Sequence, residues 1–145
     1  MSRVAAILQA KGDQAVETIA PTATVYEALQ RMAEKNIGAL VVVEGERVVG
    51  ILSERDYARK VILLDRSSKA TPLRDIMSRR VLVVNPGQSS QECMALMTKN
   101  RLRHLPVMEG DRLVGLISIG DVVKDVLSEQ QFIIEQLEHY IAGER

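Results

Sequence analysis

Apolar and polar positions along the chain fall first into a helical rhythm and then into two strand-like runs. In TATVYEALQRMAEKN, Val25, Ala28, Leu29, Met32 and Ala33 stand at i, i+3, i+4, i+7 and i+8, the spacing that lines one face of a helix. Thr24 with Glu27 offers a capping box at its start. ALVVVEGERVVGIL then carries two β-branched runs around Glu44, Gly45 and Glu46, which predicts a hairpin. A second helix is predicted from Glu54 toward Leu64, so the unit reads β-α-β-β-α.

The same succession returns once. Pro21 and Pro86, Glu27 and Glu92, Met32 and Met97, and Gly50 and Gly115 all stand 65 positions apart (115 − 50), without a gap, from Val16 to Ile62 and from Val81 to Leu127. Charged and turn residues match as well as apolar ones, so the chain is a tandem duplication. Ser89 with Glu92 repeats the capping box, LPVMEGDRLVGLI repeats the hairpin, and the last helix runs from Gly120 into the tail. The expected segments are a lead helix over 1–15 (VAAILQAKG), a first repeat over 16–64, a linker and helical lead over 65–80 (DRSSKATP, LRDIMSR), a second repeat over 81–127 and a helical tail over 128–145. A half of about sixty residues buries too little surface to stand alone. The fold class expected is α/β of the α+β kind, with two repeats packed about a pseudo-twofold axis and a ligand cleft between them.

Composition narrows the function. With 145 residues, 46% of them hydrophobic, the chain is long enough for one compact domain or two halves sharing a core. Nineteen Lys and Arg balance nineteen Asp and Glu, so no bulk field holds a polyanion or an anionic membrane, and three Tyr, one Phe and no Trp leave few platforms for stacking bases. Neither nucleic acid nor membrane is expected as a partner. Cys93 is the only cysteine, which rules out an intramolecular disulfide, and VAAIL is too short for a signal or a span. A cytoplasmic, complete protein is expected.

The candidate chemistry lies in the duplicated frame G-h-h-S-x-x-D, where h is apolar: Ser53 with Asp56, and Ser118 with Asp121. Ser and Asp three apart at a helix start can be an N-cap and its N3 partner. An ionised Asp there can also accept two hydroxyl protons, as a ribose diol would offer. The repeats differ at RLRHLPV, where Arg101, Arg103 and His104 put up to three cationic groups before a buried strand, suited to phosphate. Arg101 reads also as an ordinary surface charge, and His104 also as a packed, hydrogen-bonded histidine. Gly38 and Ala39, the counterparts of Arg103 and His104, are small enough for a ligand to approach the backbone.

The doubled pattern in IGALVV, GILSERD, RHLPV and GLISIGDVV resembles the paired cystathionine β-synthase (CBS) domain, or Bateman module, over nearly the whole chain, and is similar to bacterial proteins made of this pair alone. The resemblance implies an adenosine ligand such as AMP, ADP, ATP, NAD(H) or S-adenosylmethionine between the repeats. It implies ribose binding by Asp56 and Asp121 with Ser53 and Ser118, a base flanked by Thr18, by Ile37, Gly38, Ala39 and Leu40, and by Leu102, Leu105 and Pro106, and phosphate contacts from Arg103 and His104. By the same resemblance Asp56 works with Arg103 and His104, and Asp121 with Arg55. Val41 in place of Pro106, Val83 in place of Thr18 and Gly120 in place of Arg55 make the two sites unequal.

Other classes find less support in these residues. Cys93 lies on an apolar stripe with Met94 and Met97, the place of an inert core thiol, and no Cys or His spacing suggests a metal. The phosphate-cradling loops of phosphoryl- and hydride-transfer enzymes are missing from the sequence. A non-catalytic sensor acting on an unknown regulated protein is expected, with a structural adaptor lacking a physiological nucleotide as the alternative. In the tail, Ile133, Leu137, Tyr140 and Ile141 form a helical stripe that predicts a homodimer, an association the resemblance also implies.

Overall fold

The structure, a computed structural model, describes residues 2–12 and 16–142. Its elements are α1 (Val4–Lys11), β1 (Thr18–Ile19), α2 (Val25–Lys35), β2 (Ala39–Glu44), β3 (Arg47–Ser53), α3 (Glu54–Tyr57), α4 (Ser90–Asn100), β4 (His104–Glu109), β5 (Arg112–Ser118) and α5 (Ile119–Ile141). This is the mixed α+β fold that the hydrophobic pattern predicts. The chain divides into two compact units, one of Ala15–Leu82 with Gly110–Leu113, the other of Met1–Gln14, Val83–Glu109 and Val114–Arg145.

In the first-repeat unit, β1 pairs parallel with β2, and β2 antiparallel with β3, in the order β1-β2-β3. Gly45, at φ 66°, takes the first position of the two-residue β2–β3 turn, a conformation that costs glycine little. The core gathers Val25, Ala28 and Met32 from α2, Leu40 and Val42 from β2, and Leu52 from β3. Met32 and Ala28 are thus inward on the stripe that the sequence predicts.

The second-repeat unit builds the same layer from Cys93 and Met97 of α4, Leu105 and Val107 of β4, Ile117 of β5 and Val122 of α5, all buried. Its first strand is reduced to a single parallel bridge, Val84 with Val107. The physical reason is Pro106. It occupies the place of Val41, which pairs with Thr18 in β1, and it has no N–H, so only its carbonyl can take part, accepting from Val84 N–H at 3.0 Å.

Two further expectations are corrected. The helix from Glu54 stays α-helical only to Tyr57 and then widens into a π-helix over Ala58–Ile62, where Leu63 N–H reaches back to the Ala58 carbonyl at 3.2 Å. The wide turn keeps Val61 buried and leaves Ile62, Leu63 and Leu64 exposed. The lead LRDIMSR is a single 3₁₀ turn, Leu73–Asp75.

The lead segments are exchanged between repeats. VAAILQAK precedes the first repeat yet packs as α1 in the unit of the second, with Val4 N–H on the Gln88 carbonyl (2.8 Å) and Ala5 N–H on the Pro86 carbonyl (3.0 Å). Leu73 N–H on Ala23 (2.8 Å) and Arg74 N–H on Pro21 (3.0 Å) make the matching bonds in the other unit. Aligned this way, Leu8 corresponds to Met77, and each seats on a glycine. A Cβ at Gly115 would meet Leu8 Cδ2 at 2.5 Å, and one at Gly50 would meet Met77 Sδ at 2.7 Å and the Ser78 carbonyl at 3.1 Å. The repeated Gly is therefore the floor for a lead side chain.

Because Ser78 also pairs with Ile51 through two 3.0 Å backbone bonds, its carbonyl cannot easily retreat. Gly50→Ala should lower the unfolding free energy by about 1–3 kcal/mol, read as a fall in urea midpoint. Gly115→Ala, which meets only the far end of Leu8, should cost less; equal losses would show that the backbone contact does not matter.

Candidate ligand site at the two Ser–Asp helix starts

Each strand β3 and β5 ends in a Ser and turns at once into a helix, whose first N–H groups need acceptors. Ser53 Oγ accepts from Asp56 N–H (3.2 Å), and Asp56 Oδ2 accepts from Ser53 N–H (3.0 Å) and Ser53 Oγ–H (3.1 Å). Ser118 and Asp121 close the same capping box at 3.2 and 2.8 Å. The capping alternative weighed for these residues is thus realised in the geometry. At the other two helix starts the expected boxes close only halfway. Thr24 Oγ and Ser89 Oγ accept from the N–H of Glu27 and Glu92, while the Glu92 carboxylate turns to Gln88 Nε2 instead. There the backbone is held by isolated bridges to the lead segments, Thr24 with Pro72 and Arg3 with Ser89.

The strand starts converge on these boxes. Glu54 N–H donates to the Gly38 carbonyl (3.1 Å), and Ala39 stands opposite Ser53 in the β2–β3 register, with Leu40 opposite Leu52. In the second-repeat unit, Ile119 N–H donates to the Arg103 carbonyl (2.8 Å). Ile37 and Leu102 close the preceding helices by donating to the Met32 and Met97 carbonyls. Thr18 lies in β1 beside Val41, its carbonyl taken by the Arg31 guanidinium. Leu105 and Pro106 are buried in β4, and Arg55 sits in the first turn of α3. Arg101 ends α4 at φ 54°, as Asn36 ends α2, so its backbone has a helix-terminating role.

Three participants escaped the sequence reading. Asp56 Oδ1 accepts from Ser78 Oγ (3.2 Å) and faces Lys60 Nζ (3.2 Å), and Lys60 also donates to the Ile76 carbonyl. Lys11, at the end of α1, donates to Asp121 Oδ2 (2.8 Å) and to the Leu116 carbonyl (2.9 Å). Lys60 stands four residues after Asp56 and was legible as a helical pair. Ser78 and Lys11 come from lead segments, with no local spacing to announce them. A carboxylate offers about four acceptor positions. Asp56 receives four donors from its own unit; on Asp121, Ser118 N–H and Lys11 Nζ both reach Oδ2, and the Ser118 side chain also bonds the carboxylate.

Charge follows from these contacts. Burial opposes ionisation of Asp121, but the Lys11 ammonium and the Ser118 N–H outweigh it and hold the carboxyl below its ordinary range. Burial, opposed by Asp121 and reinforced by Lys11 and Arg103, holds the His104 imidazole below its usual value. At neutral pH His104 is therefore a neutral ring, and Arg103 and Lys11 are the cations beside it. This environment fits the packed-histidine alternative for His104. Burial and then Glu92 raise the Cys93 thiol, which stays protonated and unreactive. Among the described residues no group of three His, Cys, Asp or Glu gathers to hold a metal, and no helix is long and apolar enough to cross a membrane.

The CBS domain family model matches residues 13–63 and 73–128, one match on each repeat. The chain belongs to the CBS-domain family. It is 44% identical over 125 residues to the mitochondrial CBS domain-containing protein CBSX3 of Arabidopsis thaliana, covering 83% of this chain and 61% of that protein's length. A solved structure of a protein with CBS domains from Burkholderia ambifaria MC40-6 superposes with a TM-score of 0.86 at 55% identity, covering 89% of this chain and 96% of the other. The CBS domain protein PAE2072 of Pyrobaculum aerophilum, solved in complex with AMP, shares the fold at a TM-score of 0.73 and 24% identity, over 82% and 88% of the two chains.

The Lys11–Asp121 pair gives a pH signature with a definite sign. Asp121 has a lowered pKa in the folded state, so its contribution is present above the ordinary carboxyl range near 4 and is lost as pH falls through the folded value. Lys11→Met should cost about 0.3–1 kcal/mol at pH 7, the scale of a partly exposed pair. The difference from wild type should shrink as pH falls through the folded value. An undiminished difference at acid pH, in urea denaturation, would assign the loss to packing of the lysine stem.

Proposed function

We propose that this CBS pair is a non-catalytic sensor that binds an adenosine ligand such as AMP, ADP, ATP, NAD(H) or S-adenosylmethionine at its Ser–Asp helix starts and signals to a regulated protein or through its own assembly. The observation that carries this reading is the doubled carboxylate, placed in a capping box at a helix N-terminus beside a small or basic strand start. Such a carboxylate matches a ribose diol. Arg103 supplies a cation suited to phosphate. The AMP complex of the Pyrobaculum protein supports the choice of ligand class to try first. The unreactive Cys93 and the neutral, packed His104 support a binding rather than a catalytic role. The compartment that fits such a sensor is the cytoplasm.

The two sites are unequal in this reading. Asp56 must give up donors from Ser53, Ser78 or Lys60 before it accepts a ligand hydroxyl, while Oδ1 of Asp121 is the more open acceptor. Calorimetry over the ligands named should find at least one that binds, tighter at the Asp121 site. Asp121→Ala should weaken it about ten- to a hundredfold, the loss expected for hydrogen bonds to a charged group. Arg103→Ala should erase the preference for AMP over adenosine. Unchanged affinity in Asp56→Ala with Asp121→Ala would sink the ribose assignment, and no stabilisation by any of these ligands would favour the structural adaptor.

The same reading includes a homodimer formed through the tail of α5, where Ile133, Leu137, Tyr140 and Ile141 are 55–82% exposed. Light scattering should give about twice 16.1 kDa. Ile133→Asp with Leu137→Asp should shift the mass toward the monomer; a folded double variant that stays dimeric would place the interface elsewhere.

A further inference from the structure

From residue 130 onward every described position of α5 is exposed, so its last turns stand clear of the unit that carries them. A helix of that length is marginal in water without a covering partner. The exposed apolar side chains are not scattered around it. Leu127, Ile134 and Ile141 recur at heptad spacing, with Val123 and Leu137 at the complementary core position and Gln130 between them. Ile119, Ile133 and Tyr140 flank them on one side. Of the large apolar residues exposed on α5, only Phe132 falls off this three-position face. The other flank carries Lys124, Gln131 and Glu138.

We propose that the α5 helices of two copies pair antiparallel in one register, with Leu127 against the partner's Leu137; this rests on the twofold association proposed above. The register stacks Val123 on the partner's Ile141 and Gln130 on the partner's Ile134, and it brings Ile133 against the partner's Ile133 at the twofold axis. It also places Lys124 beside the partner's Glu138, once on each side of the axis. The charges select the direction. In a parallel pair each flank meets the opposite flank of its neighbour, so Lys124 and Glu138 would both face isoleucine positions and find no opposite charge. The antiparallel arrangement is closed by its twofold axis and leaves no free end of the seam to propagate.

The test uses the full chain with Val123→Cys and Ile141→Cys made separately, the buried Cys93 serving as the unlinked background. Under mild oxidation an equimolar mixture should yield a covalent dimer of the two variants, and neither variant alone should link to itself. Lys124→Glu should weaken dimerisation about fivefold, the scale of two surface pairs lost together, and Lys124→Glu with Glu138→Lys should restore it. Self-linking of Val123→Cys alone would establish a parallel pair and overturn the proposal. A dimeric protein showing neither the mixed link nor the charge rescue would overturn the register while leaving the twofold association standing. A monomeric wild type would overturn both.

Discussion

A helix that begins directly at the end of a strand must find acceptors for its first N–H groups, and in this protein the solution to that requirement organises everything near it. Ser53 with Asp56, and Ser118 with Asp121, close reciprocal caps worth about 1 kcal/mol each. The carbonyls of Gly38 and Arg103 take the next N–H in their units. Ser78 and Lys60 on one side, and Lys11 on the other, then converge on the two carboxylates. Strand end, strand start and lead segment meet at one charged group in each unit.

That convergence sets stability against binding. In the proposed reading the carboxylates that hold the helix starts are also the groups a diol would use, and the two copies differ in how far their oxygens are already engaged. Duplication supplied two similar frames. Sequence drift then changed their surroundings: Lys60 of the first repeat has Asp125 as its counterpart, and the cation facing Asp121 arrives from α1 instead. The surroundings of the two carboxylates thus differ without any change of fold.

The lead segments show how a small side chain can specify a long-range contact. A glycine in the middle of β3 and β5 is unfavourable for a strand taken alone. Here the missing Cβ is filled by Met77 or Leu8, so the local cost is offset by seating a segment that would otherwise have no place on the sheet. The frame glycine thus belongs to packing, while the serine and aspartate three and six residues later belong to the candidate site.

What the sequence alone determined was whatever its local spacing encodes. The duplication, the amphipathic α2 and α4, the two hairpins turning at Gly45 and Gly110 and the long tail of α5 all follow from residues a few positions apart, because hydrogen bonds and faces within one element repeat at fixed intervals. The Ser–Asp pairs were visible as possible sites for the same reason. Only the tertiary structure decided that α1 packs with the second repeat, that Lys11 and Ser78 reach the carboxylates, that Pro106 cuts the second β1-like strand to one bridge, and that the helix after Tyr57 widens. Those outcomes depend on contacts between segments far apart in the chain, where a glycine hole or a missing N–H on one strand acts on a different segment. His104 shows the limit most plainly: its residue type suggested a cation, and burial, which no neighbour in the sequence reveals, made it neutral.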